Sequence, residues 1–235
     1  MDVKSYMTAT VVTVTEETKV LEALDIMKEN DFHRLPVVRN GRMIGLITQE
    51  IIQENSPSTA TSLSIHEMNY LLTKTKVGDI MQKKVLTIQA DDLLEEAAAR
   101  MRDQEIGVLP VVEEENKIVG IITDKDIFSA FIDIIGYNNK GSRIVIDIPE
   151  DQPGILEDIT NILAEAQISI HQIAVYRKDN FTQVIIQMDS PDTSAIKEIL
   201  TTSGYTVSSA IYKEGKIYNN CGAIIQGKTN NGWYK

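Results

Sequence analysis

The sequence predicts a mixed α+β / α/β protein, in which two copies of a small β-α-β-β-α unit pack about a pseudo-twofold axis and a ferredoxin-like βαββαβ module follows. Three observations predict it. Sliding the 235-residue chain by 74 positions lays residues 3–38 on residues 77–112 with eleven identities among the 36 positions: Val3, Met7, Val11, Thr13, Glu22, Ala23, Met27, Leu35, Pro36, Val37 and Val38. After a one-residue insertion the offset becomes 75, pairing Gly45, Ile47, Thr48 and Ile52 with Gly120, Ile122, Thr123 and Ile127. This is an internal duplication, and a repeat governs every later assignment. The second observation is the polar stretch Asn138-Asn139-Lys140-Gly141-Ser142, beyond which the pattern no longer repeats. The third is composition: 43% hydrophobic and 24% charged residues over this length suffice for more than one buried core.

Each copy reads as the same string of elements. The β-branched runs Val11-Val12-Thr13-Val14 and Val85-Leu86-Thr87-Ile88 predict a strand. Apolar residues at helical spacing follow, Val20, Ala23, Leu24 and Met27 in one copy and Leu94, Ala97, Ala98 and Met101 in the other. Leu35-Pro36-Val37-Val38 is a short strand, and its proline favours an edge or a strand start. A turn at Asn40-Gly41, or at residues 113–117 in the second copy, leads to a return strand at 43–48 or 118–123. A helix leaves each return strand. One such unit cannot bury both its faces, so the two copies are expected to pack together.

In the third module, Ile144, Ile146 and Ile148 alternate as in a half-buried strand. Asp151-Gln152-Pro153-Gly154 opens a helix with the apolar face Ile155, Ile159, Ile162 and Leu163. Strands are expected at 168–176 and 181–188, joined by Lys178-Asp179-Asn180, then a helix over 192–203 capped by Gly204, and a last strand at 205–212. The expected boundaries are 1–55 and 77–137 for the repeats, 56–76 for a linker with a short helix, 142–213 for the third module, and 214–235 for a flexible tail.

Charge and residue usage exclude several classes of function. With 23 Lys and Arg against 34 Asp and Glu, the formal charge is −11, and the densest basic pair is Lys83-Lys84. An acidic surface repels a phosphate backbone, so nucleic acid is not an expected partner. No apolar run has the length of a membrane span, and no apolar stretch of the signal-peptide kind follows Met1-Asp2-Val3-Lys4. No membrane partner and a cytoplasmic location are the expectations. One cysteine, Cys221, and three scattered histidines, His33, His66 and His171, supply neither a disulfide nor a metal set. The neighbours Glu16-Glu17 and Asp124-x-Asp126 read as solvated or helix-start acids rather than an acid/base pair, and no catalytic residue is assigned. Gly222-Ala223-Ile224-Ile225-Gln226-Gly227-Lys228-Thr229 fits the P-loop spacing, but too little chain follows to form the helix that a phosphate cradle needs.

The duplicated pattern, with Leu-Pro-Val-Val before the hairpin and Gly-x-Ile-Thr after it, resembles the CBS domain. Two in tandem resemble a Bateman module, whose clefts bind adenosine-containing ligands in many members. That resemblance implies a ligand of the AMP, ADP or ATP kind, or another adenosine derivative, and no resident cofactor. In such domains the return strand ends in Ser/Thr-x-x-Asp, the carboxylate accepting from the ribose diol. The second copy matches at Thr123 and Asp126, whereas the first has Thr48-Gln49-Glu50-Ile51. His33-Arg34 resembles the pair that meets phosphate in nucleotide-sensing members, and the second copy has Gly107-Val108 there. The resemblance therefore implies one competent cleft, with Asp126 and Thr123 facing His33 and Arg34, Val12 and Ile122 at the adenine, and Gly107 leaving it room. The opposite cleft, at Thr48, Gly107 and Val108, is implied to be degenerate. An exposed ion pair between Arg34 and Asp126 is the structural alternative.

Residues 142–213, with Asp-x-Pro-Gly-Ile-Leu after the first strand, resemble an ACT domain. This implies side-by-side pairing into a homodimer and a candidate amino-acid site at Asp151, Gly154, Ile155 and Leu156, where a helix start offers free N–H groups. Pairing without any ligand is the alternative. The order of two CBS repeats and one ACT domain is similar to the acetoin-utilisation protein AcuB family. It implies a regulatory sensor linked to acetoin catabolism and acting on an unidentified protein target. A ligand-independent homodimeric adaptor is the competing reading.

Overall fold

A computed structural model describes residues 1–56, 73–178 and 181–214. The expected linker helix, the turn residues Asp179 and Asn180, most of the C-terminal tail and the P-loop-like run lie outside the described residues. The chain divides into two compact units, Met1–Ile127 and Phe128–Lys235.

In the first unit each repeat forms a three-stranded sheet. Repeat 1 comprises β1 (Val14–Thr15), α1 (Val20–Asn30), β2 (Arg34–Arg39), β3 (Arg42–Thr48) and α2 (Gln49–Glu54), with sheet order β1-β2-β3. Repeat 2 opens with α3 (Val77–Ile80) and continues with β4 (Ile88–Gln89), α4 (Leu94–Asp103), β5 (Val108–Val112) and β6 (Ile118–Thr123), with sheet order β4-β5-β6, and α5 (Asp124–Ile134) follows, most of its residues belonging to the second unit. The helical spacing read from the sequence is the buried face: Val20, Ala23 and Met27 in α1, and Leu94, Ala97 and Met101 in α4. Asn40 and Gly41 both have positive φ, the twist that a two-residue hairpin needs between β2 and β3.

Two expectations are corrected. The strands expected at 11–14 and 85–88 shrink to two residues each, because the preceding arms leave their own repeat and pair with the other one. Thr8 bridges Ile121 and Leu46 bridges Gln82, two contacts related by the duplication. The arm methionines seat where only glycine fits. A Cβ on Gly45 would lie 2.6 Å from Met81 Sδ, and one on Gly120 would lie 2.4 Å from Met7 Sδ. This exchange of arms is how the two copies cover each other, with Met43, Leu46 and Val112 buried together. The second correction concerns Pro36, which stands in the central strand β2 rather than at an edge. It is tolerated because β1 pairs only with Val37 and Val38, so no strand needs the missing N–H of residue 36. Pro110 in β5 repeats the solution, since β4 pairs with Val111 and Val112.

The second unit carries β7 (Gly141–Ile148), α6 (Ile155–Glu165), β8 (Ser169–Lys178), β9 (Phe181–Asp189), α7 (Thr193–Thr202) and β10 (Thr206–Lys213). The antiparallel order β10-β7-β9-β8 is the expected βαββαβ arrangement. Its core joins Ile144, Ile146 and Ile148 with Ile159 and Leu163 of α6 and Ile196 and Leu200 of α7.

Candidate functional site

The strand-to-helix turn of repeat 2 is built by Thr123 and Asp126. Asp126 Oδ2 accepts from the Thr123 N–H and from the Thr123 hydroxyl, both at 2.8 Å, and Thr123 Oγ1 accepts from the Asp126 N–H at 3.4 Å. This reciprocal box satisfies donors that would otherwise be orphaned at the start of α5. Only one carboxylate oxygen is used, and among the described residues Asp126 Oδ1 has no hydrogen-bond partner. The side chain is thus held in place and still has acceptor capacity.

Repeat 1 solves the same turn differently. Thr48 Oγ1 accepts from the Ile51 N–H at 3.2 Å, and Ile51 offers no carboxylate in return. Glu50 lies beside this turn instead. Its own N–H and the Thr48 hydroxyl hold its carboxyl below the usual range, with smaller help from the charges of Arg34 and His33. His33 Nδ1 lies 3.2 Å from Gln49 Oε1, and the His33 carbonyl accepts from the Gln49 N–H at 2.9 Å. Arg34 pairs with Thr48 across the hairpin. Among the described residues its guanidinium makes no ion pair, with Asp126 or with any other acid, so the ion-pair alternative is not what forms.

At the matching place in repeat 2, the Gly107 carbonyl accepts from the Asp124 N–H at 3.1 Å. A Cβ on Gly107 would lie 3.3 Å from Asp124 Oδ2. Where repeat 1 faces His33 with a neutral amide, repeat 2 faces a bare glycine with a carboxylate. Val108 is buried. Val12 is half-buried and packs on the core of repeat 1. Ile122 is 0% exposed and pairs with Leu109 inside the β5–β6 sheet. Gln49 and Asp124 were missed, although the offset of 75 that aligns Thr48 with Thr123 puts them at equivalent positions.

In the second unit, the four residues singled out in the β7–α6 loop do come together. Asp151, Gly154, Ile155 and Leu156 line a concavity of about 510 Å³, floored by Val175 and Val184. Gly154 is the N-cap of α6 at φ +101, a left-handed conformation that disfavours any other residue, and no side chain caps the helix. Arg177 Nε donates to Asp151 Oδ2 at 2.7 Å at the rim. Sequence reasoning passed over Arg177. The alternation Val175, Arg177 puts it on the core side of β8, just where the strand runs out beside the loop. His171 sits at the irregularity between Ile170 and Gln172 in β8.

Other acids are occupied as ion pairs: Glu16 with Arg39, and Glu17 with Lys76. Among the described residues no group of three or more metal-ligating side chains occurs, and no helix is long and apolar enough to cross a membrane.

Residues 3–55 and 77–133 match the CBS domain family, and residues 142–202 match the ACT domain family. Over 134 residues the chain is 33% identical to an uncharacterized protein of Methanocaldococcus jannaschii, covering 54% of this chain and 48% of that protein. The chain therefore spans about half the length of that relative. A CBS domain-containing protein of Dictyostelium discoideum is 29% identical over 143 residues, covering 57% of this chain and 92% of its own length. Among solved structures, a CBS domain-containing protein of unknown function from Bacillus anthracis superposes with a TM-score of 0.51 at 19% identity, over 57% of this chain and 94% of that one. This last likeness speaks to the fold of the repeat pair.

Proposed function

From the premise that this chain carries a tandem pair of CBS domains followed by an ACT domain, we propose that it is a regulatory sensor of an adenosine-containing nucleotide. The observation that carries this is complementary equipment. Repeat 2 holds the oriented carboxylate of Asp126 and repeat 1 holds the guanidinium of Arg34 beside His33, with one Asp126 oxygen and the guanidinium left without partners among the described residues. A ribose diol needs two acceptor positions and a phosphate needs a cation, and each is supplied once. The cleft with Thr48, Gly107 and Val108 has the opposite character: Gly107-Val108 supply no cation, and the Asp124 carboxylate lies beside Gly107.

The ACT concavity is a second effector site in this reading. Asp151 and Arg177 present opposite charges at one rim, as the zwitterion of a free amino acid requires, and the uncapped start of α6 faces a carboxylate favourably. A link to acetoin catabolism and an unidentified target protein complete the proposal. Both rest on the domain order alone.

The test is calorimetric titration of AMP, ATP and cyclic di-AMP into the wild type and Asp126→Ala. Saturable heat in the wild type and its loss in the variant are expected. Equal heats from the two proteins would remove the assigned cleft.

A homodimeric adaptor is kept as a second reading because of one observation. Phe128 and Phe131 on α5 are 64% and 58% exposed, with Ile132 and Ile134 beside them. An apolar stripe of this kind commonly marks a contact surface. Sedimentation of Phe131→Asp beside the wild type tests it: a shift to monomer supports pairing through α5, and an unchanged mass rejects it.

A further inference from the structure

Within the second unit, the end of α5 and the residues after it lie against the sheet. The helix stops in a left-handed turn at Gly136 (φ +63), with the Tyr137 N–H bonding Ile132 O and the Gly136 N–H bonding Asp133 O. The chain then lies against the face of the sheet that α6 and α7 do not cover. A Cβ on Gly136 would sit 2.1 Å from Gln172 Oε1, and that same oxygen accepts from Asn139 Nδ2 at 3.1 Å. Lys213 Nζ lies 3.8 Å from the centre of the Tyr137 ring.

Strand pairing extends this contact sideways. Gln187 of β9 stands between Gln172 of β8 and Arg143 of β7 in one cross-strand row. Val184, Ile186 and Met188 face the core, so Gln187 faces the other way. It is 2% exposed, yet among the described residues neither Nε2 nor Oε1 has a hydrogen-bond partner, and the buried Asn138 Oδ1 has none either. Buried carboxamide atoms without partners raise the free energy of the closed arrangement relative to one in which water reaches them. The sheet beneath is held by its apolar core and its ladders. The contact can therefore open at far lower cost than the sheet can unfold.

We propose that residues 135–140 form a latch on this outer face, closed by Gly136, Asn139 and Gln172, which opens and recloses as a unit while the sheet stays folded. Because α5 carries Asp126 in its first turn and is followed directly by the latch, a nucleotide that binds at the start of the helix shifts the latch equilibrium. This second step rests on the nucleotide reading above.

Hydrogen exchange on the full chain without ligand tests the latch itself. The amides of Gly136, Tyr137 and Asn139 are expected to exchange together, at least a hundredfold faster than the central amides of β7 and β9. Gln187→Leu removes two unpartnered atoms and is expected to slow latch exchange on the order of tenfold, since about 1.4 kcal/mol corresponds to that factor. Gly136→Ala is expected to speed it, with sheet protection unchanged. Latch amides that exchange at the sheet's own rate, or a rate that Gln187→Leu leaves unaltered, overturn the proposal. Adding AMP separates the two layers. A latch rate that changes in the wild type but not in Asp126→Ala supports the coupling. Calorimetric AMP binding with an unaltered latch rate overturns the coupling and leaves the nucleotide reading standing. No AMP binding overturns the nucleotide reading and the coupling, and leaves the opening measured in the free protein intact.

Discussion

The two CBS repeats share a backbone and divide the chemistry. Both place a short strand beside a hairpin, both put a proline where the short strand has not yet begun, and both seat the other's methionine on a glycine. At the strand-to-helix turn they part. Repeat 2 has the reciprocal Thr123–Asp126 box, and repeat 1 has a one-way cap from Thr48 with Glu50 alongside. At the start of the hairpin the asymmetry reverses, His33-Arg34 against Gly107-Val108. The two copies agree in what packs the pair and differ at these turns, and in the proposed reading each keeps one half of a binding site.

The largest expected effect tests the shared frame. Gly45→Ala forces a Cβ to 2.9 Å from the Gln82 backbone carbonyl as well as onto Met81, whereas at Gly120 the three nearest atoms all belong to the flexible Met7 side chain. Overpacking against backbone is expected to cost about 3 kcal/mol, and at Gly120 about 1 kcal/mol. Urea unfolding of the two variants measures the difference, and equal costs would deny that the arms are seated unequally.

Next comes the division of labour. Arg34→Ala is expected to weaken AMP about tenfold while leaving adenosine within about twofold, as loss of one charge-assisted phosphate contact implies. Competition binding with the two ligands reads this, and a parallel loss for both would place Arg34 away from the phosphate.

A smaller effect separates the CBS pair from the ACT domain. Arg177→Ala removes an exposed ion pair worth about 0.5 kcal/mol, so its unfolding midpoint should barely move. AMP affinity is expected to be unchanged, and amino-acid heats to disappear if the wild type shows them.

The smallest concerns Glu50. Its carboxyl is held below its ordinary value of 4.5, so its contribution to stability is present above that pH and is lost as the pH falls through the lowered value. Glu50→Gln should therefore be slightly less stable than the wild type at neutral pH and converge with it in acid. The same change removes a carboxylate whose charge acts on Arg34, so AMP is expected to bind about twofold more tightly. Weaker AMP binding would show that Glu50 assists the ligand instead.

Much of this organisation was legible in the sequence, because periodicity and duplication are local signals. The helix faces at Val20, Ala23 and Met27 and the order of the third module needed only spacing and turn residues. What escaped depended on partners distant in the chain. The runs at Val11 and Val85 read as strands, yet the arms they belong to pair with the other repeat. Pro36 read as an edge signal, and no run of residues reveals that its neighbour β1 begins only opposite the next residue, Val37. The burial of Ile122 was not legible either, since alternation alone does not say which face of β6 is covered. Arg177 needed the β7–α6 loop to be folded before its role at the rim could be seen.

The central claim is one competent cleft assembled from unequal halves, and the stoichiometry of AMP binding tests it most directly. Equilibrium dialysis is expected to give one AMP per chain for the wild type and none measurable at the same concentration for Asp126→Ala. Two AMP per chain, or one that survives in the variant, would contradict it.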